Sequence, residues 1–182
     1  MHTYATPIHV VRAEQPDLPV WCFRPDRVTT AARWFRDTFP GEPFYAVKAN
    51  PGVHVLDALW AAGVRSFDVA SEAEIELIHN RFPGARMAFL HPVKNRRSIT
   101  RAYKEFGVRI FVTDTMAELN KILEATDFAR DLTIIVRIAV SCDGATLPLA
   151  GKFGANADDA ADILREARRH ADELGVSFNV GS

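Results

Sequence analysis

With 182 residues, 48% of them hydrophobic and 25% charged, the chain has the composition of one globular domain with a sizeable core, and it is too short for two full domains. Lys and Arg number 22 against 23 Asp and Glu, so the formal charge of −1 gives no global pull toward nucleic acid or an anionic membrane. No run approaches the roughly 20 apolar residues of a membrane span. Residues 1–20 lack an apolar stretch behind a basic start, so no secretory leader is expected. Cys22 and Cys142 offer neither a disulfide framework nor metal-ligand spacing, which makes a reducing cytoplasm the expected compartment.

A strand over residues 20–23 and a helix over 28–39, broken by Pro40 and Gly41, form the leading segment, 1–43. From residue 44 onward, short runs rich in Val, Ile and Phe alternate with stretches of helical periodicity, as in a parallel α/β sheet. Residues 44–48 read as a strand, and Val55, Leu56, Leu59 and Trp60 predict a helix stopped by Gly63. A strand over 66–69 precedes a helix from Ser71 with Ile75, Ile78 and Phe82 inward. A strand over 87–90 precedes one carrying Ile99, Ala102, Tyr103 and Phe106, and the basic run 94–97 before it reads as a solvated turn. Residues 110–113 form the next strand, followed by a helix with Met116, Leu119 and Leu123; residues 132–138 are the longest strand candidate. Ala160, Ile163, Leu164, Ala167, Ala171 and Leu174 share one face of a helix over 156–174, and 176–180 is the last strand. The long connection between residues 138 and 156 is of the kind that usually carries function.

Six parallel strands suit either an open doubly wound sheet or most of a (β/α)8 barrel. No G-x-G-x-x-G follows the first strand, so the open dinucleotide-binding sheet lacks its phosphate loop. Polar residues recur at the carboxyl ends of the strands: Lys48, Asp68, His91, Arg137 and Asn179. In a barrel these ends converge on the face where active sites are built, and a full barrel needs roughly 200–250 residues, leaving this chain about two strands short.

Lys48 ends an apolar strand and precedes the turn Ala49, Asn50, Pro51, Gly52. A lysine partly desolvated there loses proton affinity and becomes a nucleophile suited to a Schiff base; the alternative is a strand-end lysine reaching to water. Arg137 interrupts an apolar run, so its guanidinium must meet a polar mouth or a carboxylate. Ser71 and Glu74 have the spacing of a capping box.

The segments FYAVKANP (44–51), FDVASEAEIELI (67–78), KFGA (152–155) and SFNVGS (177–182) resemble the ornithine decarboxylase family of fold type III pyridoxal-phosphate enzymes, most of all its bacterial ornithine/lysine branch. The resemblance runs from about residue 19 to 182 and implies a barrel of the alanine racemase type, cut after about its sixth strand, with residues 44–182 as an incomplete cofactor-binding barrel. It implies Lys48 as the cofactor-holding lysine, with Asp68 and Glu74 beside it as catalytic acids. Arg137, the residue at Asn179 and Ser182 would contact pyridoxal 5'-phosphate, and Lys152 would face a partner subunit. His91, opening HPVK, would support the pocket. The implied reaction is decarboxylation of a basic L-amino acid, ornithine to putrescine before lysine or arginine, in a cytoplasmic homodimer of polyamine synthesis that uses no metal.

Two departures matter. The family histidine of S-F-H-V-G-S is Asn179 here, and an amide offers neither a flat aromatic face nor a titratable nitrogen. The family's last barrel strands and β-rich domain lie outside these residues. Two other readings remain: a noncatalytic homologue that binds decarboxylase subunits, and a related enzyme such as a diaminopimelate decarboxylase or alanine racemase.

Overall fold

The computed structural model describes residues 2–140 and 151–180. Its strands are β1 (Phe44–Ala46), β2 (Ser66–Val69), β3 (Arg86–Phe89), β4 (Ile110–Thr113), β5 (Thr133–Arg137) and β6 (Glu173–Ser177). All pairs are parallel and follow chain order, β1-β2-β3-β4-β5-β6. A doubly wound sheet reverses its order at a switch point; this one adds each strand beside the last, as a barrel wall does.

The helices are α1 (Pro7–Glu14), α2 (Pro25–Thr38), α3 (Val53–Ala61), α4 (Glu72–Arg81), α5 (Arg96–Lys104), α6 (Met116–Ala125) and α7 (Ala157–Ala167). α4 to α7 each begin with a side chain that accepts a bond from an N–H of the first turn: Ser71 from Glu74, Asn95 from Ser98, Thr115 from Glu118 and Asn156 from Asp159. These caps satisfy donors with no partner inside the helix, and they fix where the chain leaves each strand exit.

Alternate strand residues face opposite ways. Phe67, Val69, Phe111, Ile134 and Val136 are buried under the helices, and Phe67 lies parallel to Phe82 at 5.7 Å, with Trp60 stacked on Phe82 at 4.9 Å. The other face encloses an open hollow of about 440 Å³ lined by Phe44, Ala88, Ile110 and Ile135, with Phe35 and Phe39 near α2's end. There Glu42 accepts bonds from Ser66 and Arg86, tying β2 to β3 at their N-terminal ends.

Three sequence expectations change, and one helix was not expected. β1 stops at Ala46, and Val47–Ala49 is a 3-10 turn, because Asn50 folds the chain back by accepting the Gly52 N–H at 3.0 Å. Residues 20–23 join no strand; Trp21 is 98% exposed, so nothing supplies the half-buried surface a strand needs. The short α1 has no buried residue, so no apolar face announced it. α7 ends at Ala167 and β6 begins at Glu173, since Asp172 and Glu173 donate to the Leu132 carbonyl and pull the chain into the sheet. Val176, in register with Val136, and Phe178, just past β6, remain exposed. Among the described residues no helix is long and apolar enough to cross a membrane.

Candidate active site

The C-terminal strand ends gather two groups of side chains. Asp68 is in register with Ala46 and Ala88; Ala88 lines the interior hollow, so Asp68 faces inward. Lys48 follows Ala46 by two residues, in the 3-10 turn, and is exposed. Burial pushes the Asp68 carboxyl above the usual carboxylate range; the Lys48 ammonium partly offsets this, and the Glu74 carboxylate adds to it. Tyr45 donates to the Asn50 carbonyl at 3.2 Å and so braces the turn that carries Lys48.

Glu74 holds two positions at once. Its carboxylate accepts the Ala70 N–H at 2.7 Å while Ser71 Oγ accepts its own N–H at 3.3 Å. This is a capping box displaced by one residue, reaching the N–H before the cap rather than that of Ser71 itself. The arrangement places an acid where Asp68 feels its charge.

The second group centres on Arg137, the last residue of β5, two residues past the inward Ile135. Its guanidinium carbon lies 5.3 Å from the centre of the Phe153 ring, and its Nε is buried with no hydrogen-bond partner among the described residues. Phe153 meets the His91 ring edge-to-face at 5.8 Å. His91 is held by its own turn, with Nδ1 2.7 Å from the Val93 carbonyl oxygen and 3.1 Å from the Val93 nitrogen.

The chain around Phe153 is pinned on both sides. The Gly154 N–H donates to Asp114 at 2.9 Å, and Ala155 bonds across to Arg137 and Ala139, extending the wall beside β5. Lys152 is exposed just before this turn. Asn179 lies two residues past Ser177, the register partner of Arg137, and is exposed. Ser182 and Cys142 lie outside the described residues.

One expectation is overturned here. Lys94, read as part of a solvated turn, has a fully buried side chain. Its Nζ donates to the carbonyls of Val112 at 2.6 Å and His91 at 3.0 Å and pairs with Glu118 at 3.0 Å. The basic run misled because Arg96 and Arg97 are exposed, as a charged turn predicts, while Lys94 turns inward. A signal was present in Thr115 and Glu118, whose capping-box spacing puts an acid at the start of α6. Phe153 and Asp114 also escaped notice as site residues: one reads as a loop aromatic, the other as helix-entry polarity. Among the described residues no cluster of three or more His, Cys, Asp or Glu could hold a metal.

Comparison with known proteins agrees with this fold. Residues 26–182 match the family described as pyridoxal-dependent decarboxylase, pyridoxal binding domain. The lysine/ornithine decarboxylase of Selenomonas ruminantium is 38% identical over 143 residues, covering 76% of this chain and 35% of that protein. The crystal structure of lysine decarboxylase from the same organism superposes with a TM-score of 0.81 at 31% identity, covering 100% of this chain and 48% of that one. Lysine/ornithine decarboxylase from Vibrio vulnificus, complexed with putrescine, gives 0.80 at 29% identity, covering 98% and 47%. The chain thus spans about a third of that curated relative and just under half of these solved chains. The match to the family description over most of the chain, together with the superposition of a sheet wound in one direction, shows that the chain belongs to the pyridoxal-dependent decarboxylase family as its pyridoxal-binding domain.

Proposed function

We propose that the chain is the cofactor-holding part of a decarboxylase of basic L-amino acids, with L-ornithine as substrate and putrescine as product, acting as a cytoplasmic homodimer in polyamine synthesis. The observation that carries this reading is the meeting of the exposed Lys48 with the half-buried Asp68 and Glu74 at the sheet end that also holds Arg137. The residues fit pyridoxal phosphate. Lys48 offers a reachable amine for an aldehyde, the two acids favour positive charge beside it, and the buried Nε of Arg137, without a partner among the described residues, is a donor that an acceptor-bearing ligand would satisfy. When bound, the cofactor supplies an electron sink for the pair left on Cα as carbon dioxide departs.

The chain's own residues then divide the work. Lys48 Nζ, exposed at the exit of β1, would be the amine that holds the cofactor. Asp68 and Glu74 keep positive charge favoured beside it. Arg137 would orient the bound group, Asn179 would offer it no aromatic face, and Ser182, outside the described residues, would serve as a phosphate contact as the family resemblance implies. Lys152, exposed beside the mouth, faces the second subunit.

The test is borohydride reduction of the purified chain with pyridoxal phosphate, followed by peptide mass mapping. A stoichiometric adduct confined to Lys48 supports the reading, and assays for putrescine against cadaverine from the complete enzyme then choose the substrate. Scattered or absent labelling refutes it for this chain. Asn179 favours one second reading, a noncatalytic homologue that associates with decarboxylase subunits. It requires stable association with a full-length decarboxylase subunit on mixing, and failure to associate removes it.

A further inference from the structure

The buried ammonium of Lys94 has no part in the site as described so far. It has three N–H donors and three acceptors on three elements: the His91 carbonyl after β3, the Val112 carbonyl in β4, and the Glu118 carboxylate at the start of α6. Glu118 also accepts the Lys94 backbone N–H at 3.1 Å and pairs with Lys121, so the cluster is tied to backbone as well as charge.

Its position explains a gap in the barrel wall. β3 and β4 share two registered pairs, Ala88 with Ile110 and Phe89 with Phe111, whereas β4 and β5 share four and continue to Thr113 with Val136. The Arg109 carbonyl serves Thr133 of β5, so by the alternation of a parallel ladder the Val112 carbonyl faces β3. No β3 residue reaches it there, and Lys94 Nζ takes the place of the missing strand N–H. The chain released from the wall turns through His91, whose ring abuts Phe153, and Phe153 in turn lies under Arg137.

We propose that Lys94 is a positioning residue of the cofactor pocket: it replaces the strand bonds lost where β3 parts from β4, and so fixes the His91–Phe153–Arg137 stack at the mouth. This rests on reading the mouth as a pyridoxal phosphate site. An apolar side chain of similar volume ends the burial of a charge pair, which offsets the loss of a donor to the Val112 and His91 carbonyls, but it could not hold two carbonyls and a carboxylate in one arrangement.

The test compares the wild-type chain with the neutral pair K94M/E118Q, which leaves no uncompensated buried charge and keeps an acceptor for the residue 94 N–H. The single variant K94M serves as a control for charge removal. Three quantities are read: the urea midpoint, the pyridoxal phosphate concentration that half-saturates borohydride labelling of Lys48, and the NMR signals of the His91 imidazole. The expected result is a near-wild-type midpoint for the neutral pair, a half-saturation concentration raised about tenfold or more, and His91 signals displaced toward those of an unstructured histidine. Wild-type labelling by the neutral pair, or unmoved His91 signals, overturns the proposal while the pocket reading stands. A midpoint that collapses together with labelling makes Lys94 a purely structural residue and overturns it too. A wild-type chain that does not label at Lys48 overturns the pocket reading itself, and the proposal with it.

Discussion

Gly154, just before α7, lies hard against the backbone of residues 138 and 139. Its φ is +104°, and a Cβ built there would lie 2.5 Å from the Ala139 nitrogen, 2.7 Å from the Ile138 carbonyl carbon and 2.8 Å from the Ala139 Cα. All three obstacles are backbone, so they cannot swing aside as a flexible side chain would. Gly84 is the control, with φ +83° and nothing within 4 Å of the same added atom. Gly84→Ala then carries only the left-handed backbone penalty, about 1–2 kcal/mol. Gly154→Ala carries the same penalty and must also push the loop out to ordinary contact distance. That movement breaks the Asp114 bond to the Gly154 N–H and the two backbone bonds of Ala155, adding about 2–4 kcal/mol at roughly 1 kcal/mol per bond and somewhat more for the charged acceptor. At about 2–4 °C per kcal/mol for a chain of this size, thermal unfolding followed by circular dichroism separates the two variants clearly. Gly154→Ala also moves Phe153 away from His91 and Arg137, so borohydride labelling of Lys48 falls in that variant alone. Equal melting temperatures for the two variants, with wild-type labelling in both, would refute the close approach and the role assigned to the loop.

Asp68→Asn tests the cost of a buried acid. A carboxyl raised in the folded state loses stability as pH climbs from the unfolded carboxylate range through the folded value, so the amide should stabilise the chain at neutral pH and make no difference in strong acid. Urea midpoints measured across pH check the sign, and the same variant should label poorly at Lys48. Ser71→Ala removes a cap and should cost about 1 kcal/mol, whereas Glu74→Gln keeps an acceptor for the Ala70 N–H and should leave the urea midpoint nearly unchanged while reducing labelling. Equal loss of stability in both would make Glu74 a capping residue and nothing more. Asn179→His should lower the pyridoxal phosphate concentration needed for labelling, since it restores an aromatic face; an unchanged requirement means that a ring there does not matter.

The order and direction of the strands were legible because apolar runs, helical spacing and stop residues repeat five times after residue 44. Arg137 was legible as a polar interruption of an apolar run and Asp68 as a polar residue at a strand's carboxyl end, and the structure puts both on the interior face. The boundaries set by hydrogen bonds from outside the element were not. β1 is cut short by the Asn50 side chain, and Ala171 and Leu174 keep helical spacing although Leu132 has already drawn the chain into β6. Lys94 was misread because a charge run is judged by its average, while burial is decided one side chain at a time by a partner such as Glu118, 24 residues away. Phe153 could not be placed from its own segment, since its neighbours His91 and Arg137 come from two other parts of the fold.

The two faces of each strand also separate stability from chemistry. Along β2, Phe67 and Val69 are fully buried against the helices, and their apolar area is what holds the strand in place. Asp68 between them does nothing of the kind: burial penalises its charge, and a neutral residue of similar size would serve the fold better. Arg137 repeats the pattern in β5, with Ile134 and Val136 buried beside it and its own Nε without an acceptor among the described residues. An acid and a base that the fold holds at a cost, on the same face and at the same end of the sheet, are not explained by folding. A ligand that carries both an acceptor and a positive charge would relieve both, and it should therefore stabilise the chain. The melting temperature should accordingly rise with pyridoxal phosphate concentration, and the rise should shrink when either Asp68→Asn or Arg137→Met removes one side of the mismatch. Equal rises in wild type and both variants would mean that the cofactor is bound by other residues.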